Sequence, residues 1–166
     1  MNKRNIGRLL LGTIAAALLG GLIGLEREYR AKEAGFRTHF LVAMGAALFM
    51  ILSAHGFSDV LTSENHRLDV SRIAAQVVTG IGFIGAGTII FQRHAVRGLT
   101  TAAGLWVTAA IGMAAGAGMY GLAVFTTVLV LIGLEAFNHF LRHIGPKEAE
   151  KGKEDKDLNE ENDQET

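Results

Sequence analysis

The residues most able to do chemistry in this chain lie between Asp69 and Gly87, in the order Asp69, Arg72, Gln76, Gly80, Gly82, Gly85 and Gly87. At about 100° per residue, Asp69, Arg72, Gln76, Gly80, Phe83 and Gly87 share one face of a helix. Two readings of that face stand side by side. Asp69, Arg72 and Gln76 line a polar vestibule between helices, since polar residues in a membrane helix face a partner or a cavity. Alternatively Asp69 caps the helix and pairs with Arg72 at the interface. Gly80-x-Gly82-x-x-Gly85 matches a dinucleotide fingerprint in form only. No βαβ unit surrounds it, and no acid stands between Asp69 and Glu135 to take a ribose hydroxyl. Close helix packing explains Gly80, Gly82, Gly85 and Gly87 better than a cofactor does.

A second cluster is Glu26-Arg27-Glu28-Tyr29-Arg30. It is either a charge cluster anchoring a helix end at the membrane surface or an exposed docking surface. The segment from His94 to Trp106 lies on the same side of the membrane, and its Thr100 and Thr101 suit helix capping. Glu26, Arg27, Arg37, Arg97, Thr100 and Thr101 are therefore the candidate partner-facing residues. Glu135, His139 and His143 form a stripe, but its ends stand about 12 Å apart by helix rise, too far for one ion. His39, His55, His66 and His94 show no ligand spacing, and Asp69 alone cannot hold magnesium. No metal site, cofactor, catalytic residue or nucleophile–base arrangement is expected.

The elements that must position these residues are membrane helices. The chain has 166 residues, 49% of them hydrophobic, with 21 glycines, one proline and no cysteine. Crossing the hydrocarbon core takes about 20 mostly apolar residues. Apolar runs at about 6–25, 40–57 and 73–91 qualify. A long run from Leu99 to Phe137 divides at its glycines into about 99–117 and 119–137. The fold class expected is all-α: a polytopic bundle of five transmembrane helices, domain 1–145, with the glycine-rich third helix at its centre. On the first span Gly12, Ala16, Gly20 and Gly24 recur at every fourth position, a smooth groove for close packing and a reason to read it as a retained span rather than a cleaved signal.

Charge separates along the chain. Residues 146–166 hold nine of the sixteen acids and four of the sixteen bases, and form a charged tail expected to be disordered and cytoplasmic. Without cysteine, a disulfide scaffold and thiolate zinc are excluded. No basic patch is dense enough to track nucleic acid. With the N-terminus outside, eleven Lys and Arg fall inside and five outside, which favours N-out and C-in.

Four motifs in order resemble the MgtC/SapB family of bacterial inner-membrane proteins. They are Gly20 to Glu28, Gly35 to Val42, Asp69 to Gly87, and Val96 to Ala103 followed by Leu105-Trp106. The resemblance covers about residues 7–137. It implies a five-span cytoplasmic-membrane protein linked to magnesium limitation, with some members acting in virulence and one branch restraining the F-type ATP synthase. That branch reads Asn and Cys where this chain has Thr100 and Val107, and its members carry a folded C-terminal cytoplasmic domain, so a short form without that domain is expected here.

Two functions follow as expectations. The first is a non-enzymatic membrane regulator in magnesium limitation or acid stress, with the F-type ATP synthase as the partner the resemblance implies. The second is a small ion transporter or channel, magnesium-linked and homo-oligomeric, using the polar face of the third span.

Overall fold

The computed structural model describes residues 3–56, 69, 71–92 and 95–144, with side chains for 5–56, 69, 71–92 and 95–136. Five helices carry it: α1 (Lys3–Tyr29), α2 (Phe36–His55), α3 (Ser71–Gly87), α4 (Leu99–Gly116) and α5 (Tyr120–Ile144). The expected charged tail, the side chains of His139 and His143, and His66 and His94 lie outside the described residues. Two compact units divide the chain, Met1–Leu131 and Ile132–Thr166. The described part of the second is the helical end of α5.

The all-α membrane bundle is present. Asn5–Tyr29, Phe36–His55 and Leu99–Gly116 are long and apolar enough to cross a bilayer, and α5 carries the shorter apolar stretch Tyr120–Ala136. Large apolar side chains such as Leu18, Leu41, Phe83 and Phe125 are exposed, as lipid-facing positions are. The interior is built instead from small residues. Ala16, Ala43, Ala47, Ala115 and Ala123 form one buried cluster with Ile23 and Ile111, bringing α1, α2, α4 and α5 together. Ala34, Ala46, Ile81, Leu105 and Ala109 form a second, where α3 joins α2 and α4.

Glycine decides how closely the backbones approach. A Cβ added at Gly112 would lie 2.2 Å from the Ala43 carbonyl oxygen, and one at Gly116 2.5 Å from that of Ala47. These contacts run in the same order along both helices, so α2 and α4 pack parallel. On α1 a Cβ at Gly20 would meet His39 and Ala43, and one at Gly24 would meet Phe36 and Gly35, an antiparallel seam with α2. Gly12 meets Ala115 and Gly116 of α4.

Three expectations need correction. The glycine-rich helix is not the centre: α3 buries only Ile81 and Gly85, while α2 and α4 hold the middle. Gly85 touches Ala102, but among the described residues Gly80, Gly82 and Gly87 have nothing within 4 Å of an added Cβ. Small residues permit close approach without requiring it, and the tight seams use the glycines of α1 and α4. The third run also does not stay helical to residue 91. Thr88 turns its N–H and Oγ1 back onto the Gly85 carbonyl, and a two-stranded antiparallel hairpin follows. Its strands β1 (Ile90–Gln92) and β2 (Ala95–Arg97) pair Ile90 with Arg97 and Gln92 with Ala95. Finally, Thr100 and Thr101 do not cap α4. The N-cap is Gly98 at φ 86°, where a Cβ would stand 1.9 Å from the Thr88 carbonyl oxygen, so only glycine fits.

Candidate functional site

The polar residues of the bundle gather where α1 ends, α2 begins and α4 begins. The chain leaves α1 through Ala31 at φ 50°, with the Ala31 and Lys32 amides donating to the Glu28 and Arg27 carbonyls. This tight exit brings the Glu28 carboxylate to the start of α2. Its Oε2 accepts the Phe36 N–H at 2.7 Å, supplying the cap that Gly35 lacks a side chain to provide. A Cβ at Gly35 would fall 2.7 Å from the same oxygen, so a larger residue there would push the capping carboxylate aside.

Arg27 is 2% exposed. Both Nε and Nη2 donate to the Glu26 carboxylate, the latter at 2.7 Å, and Arg30 Nε adds a third donor to Glu26 at 3.2 Å. A buried guanidinium persists only when paired in this way, since leaving the charge alone costs several times what the pair gains. His39 is fully buried one turn into α2. Its Nδ1–H donates to the Gly35 carbonyl at 3.0 Å, which leaves Nε2 without a partner among the described residues. Gly104 of α4 faces the ring, where a Cβ would make ordinary contact with Nε2 at 3.5 Å. Across the junction, buried Thr101 donates its hydroxyl to Glu33 Oε2 at 2.6 Å. That hydrogen bond, with Lys32 and Arg97 nearby, holds the Glu33 carboxyl below its ordinary range.

The candidate partner-facing residues thus divide. Arg37, Arg97 and Thr100 are exposed. Arg27 and Thr101 are not: one is turned inward onto Glu26 and the other is spent on Glu33, so both position the junction rather than meet solvent. Glu26 is 17% exposed and shared by two arginines. Sequence reasoning named Glu28 only within the charge cluster and His39 only as a histidine without ligand spacing, and it missed Glu33. A glycine directly before a helix start, with no capping side chain of its own, was a usable signal for Glu28. Nothing local marked Glu33, whose partner is 68 residues away.

Asp69, Arg72 and Gln76 do not converge on one cavity. Asp69 Oδ1 accepts the Ser71 amide at 3.0 Å and the Ser71 hydroxyl at 2.5 Å, a cap at the start of α3 that lowers the Asp69 carboxyl. Arg72 Nε stands 3.9 Å from Asp69 Oδ2, and the two are 86% and 56% exposed. Gln76 alone lines a groove, and its neighbours there are apolar. No group of three metal-ligating side chains occurs among the described residues.

A small-residue bundle with lipid-facing apolar side chains, closed at one end by a buried ionic junction, defines a multi-pass membrane protein. Residues 13–143 match the MgtC family, and the chain belongs to that family. Over 138 residues, 83% of this chain and 62% of the relative, it is 56% identical to the Escherichia coli protein YhiD, named as a candidate magnesium transporter. It is 46% identical to Protein MgtC of Brucella abortus over 76% of this chain and 48% of the relative. With Protein MgtC of Salmonella typhimurium the figures are 47%, 74% and 49%. The chain therefore spans between about half and three-fifths of the length of these relatives. No solved structure matches it.

Proposed function

We propose that this chain is a non-enzymatic regulator of the bacterial inner membrane, linked to magnesium limitation or acid stress, that restrains a membrane-protein partner. The F-type ATP synthase is the partner the family resemblance suggests. One observation carries the reading. The Glu28–Phe36 and Thr101–Glu33 hydrogen bonds fasten the end of α1, the connection to α2 and the start of α4 into a single charged end, on which Arg37 and Arg97 are exposed. Such a fixed, mostly basic face suits an acidic partner surface through electrostatic complementarity. It lies on the cytoplasmic side when the N-terminus is outside, as the Lys and Arg distribution favours.

The second reading is a small magnesium-linked ion transporter or channel, acting as a homo-oligomer. Its support is the name carried by the Escherichia coli relative and the exposed Asp69 at the start of α3. ATP-driven proton pumping in inverted membrane vesicles separates the two. Slower pumping with an unchanged passive leak supports the regulator. A raised leak with unchanged ATP hydrolysis sinks it in favour of permeation.

A further inference from the structure

A groove of about 660 Å³ runs between α2 and α3, with Ala109 of α4 at its floor. Its α3 wall is Ile73, Gln76, Val77, Gly80, Ile81 and Ile84, one unbroken helical stripe. The α2 wall includes Leu41, Gly45 and Phe49. Among the described residues Gly45 and Gly80 have nothing within 4 Å of an added Cβ, so they give the groove its depth without serving a packing contact there. From Ile73 to Ile84 the groove extends about 16 Å by helix rise. One leaflet of the hydrocarbon core is about 15 Å deep, half of about 30 Å. Both α2 and α4, which border the groove, are long and apolar enough to cross a bilayer.

Polarity along the stripe is ordered. Arg72, next in sequence to the lining residue Ile73, is 86% exposed, and its guanidinium stands 3.9 Å from Asp69, its one ion-pair partner among the described residues. The Asp69 carboxylate is itself committed to the Ser71 amide and hydroxyl, and the start of α3 adds the positive end of a helix dipole. One turn further in comes the Gln76 amide, and beyond it the lining is apolar. A cation, then a neutral donor, then one leaflet's depth of apolar surface follows the sequence of phosphate, glycerol ester and acyl chain in a phospholipid. We propose that the α2–α3 groove binds one acyl chain of a glycerophospholipid, with its phosphate at Arg72 and its ester carbonyl at Gln76.

The test is native mass spectrometry of the full chain in detergent, titrated with phosphatidylglycerol carrying one palmitoyl and one oleoyl chain. One lipid should be retained beyond the loosely held population. Gly80→Leu, which fills the groove from an open position, should remove that lipid. Arg72→Ala touches no packing contact and should weaken retention about tenfold, the worth of one charge-assisted hydrogen bond. The Arg72→Ala variant should hold diacylglycerol, which lacks the phosphate, as well as the unaltered chain does. Equal retention of phosphatidylglycerol by all three proteins would overturn the proposal as annular lipid only. So would a loss of dimer mass in Gly80→Leu with lipid unchanged, which would assign the groove to a second copy.

Discussion

A methyl group at Gly112 tests the packing of the bundle at its tightest point. The new Cβ would stand 2.2 Å from the Ala43 carbonyl oxygen and 2.9 Å from Ala43 C and Cα. Carbon–oxygen contacts across a helix interface settle at about 3.3–3.6 Å, so α2 and α4 must part by about 1 Å. Overpacking of this kind costs about 1–3 kcal/mol, and a backbone obstacle that cannot rotate away belongs at the upper end. Alanine returns up to about 1 kcal/mol through helix propensity, leaving a net loss of about 2 kcal/mol. Gly80→Ala is the matched control, because nothing lies within 4 Å and the propensity gain stands alone. The two variants should differ by about 3 kcal/mol, more than a hundredfold in the folding constant. Reversible unfolding in mixed detergent micelles, followed by helical circular dichroism, measures that difference. Equal stability of Gly112→Ala and Gly80→Ala would refute the close α2–α4 seam and, with it, the placement of α3 at the edge.

Three further outcomes are expected. Arg27→Met should destabilise the bundle by about 3 kcal/mol in the same micelle assay, since it strips the partly buried Glu26 carboxylate of its main partner, and adding Glu26→Gln should restore part of the loss. Thr101→Val should flatten the acid dependence of stability. The folded Glu33 carboxyl lies below its unfolded value of 4.5, so its contribution is complete above that value and is lost as pH falls through the lower folded one. Melting curves across that acid window should therefore fall more steeply for the unaltered chain than for the variant. Gly98→Ala should loosen the start of α4 more than Gly82→Ala disturbs α3, because it combines a left-handed backbone with a Cβ 1.9 Å from Thr88 O; limited proteolysis between β1 and α4 reads this directly.

The membrane helices were legible because continuous apolar runs have no other economical reading, and α1's four-residue spacing of small residues is a local signal. Gly12, Gly20 and Gly24 do sit where α1 meets α2 and α4. The same pattern misled on α3. Periodicity of small residues says how near a neighbour can come, not whether one does, and the neighbours went to Gly112 and Gly116 instead. The hairpin of Ile90–Gln92 and Ala95–Arg97 was invisible because three-residue strands carry no period and adjoin an apolar run. At the junction the charged residues could be picked out, but not their directions. Whether Arg27 points into the bundle or out of it depends on Glu26 and on the turn at Ala31, and Thr101 finds Glu33 only once α1, α2 and α4 are packed.

The regulator reading turns on the exposed basic end of the bundle, and ATP-driven proton pumping in inverted vesicles tests it most directly. Arg37→Glu combined with Arg97→Glu reverses that face without touching the buried Glu26–Arg27 pair, while Asp69→Asn alters the far end of the chain's polar residues. On the regulator reading the double reversal releases the restraint on pumping, Asp69→Asn leaves it in place, and passive leak is the same in all vesicles. Restraint that survives the double reversal, together with a leak abolished by Asp69→Asn, would contradict it.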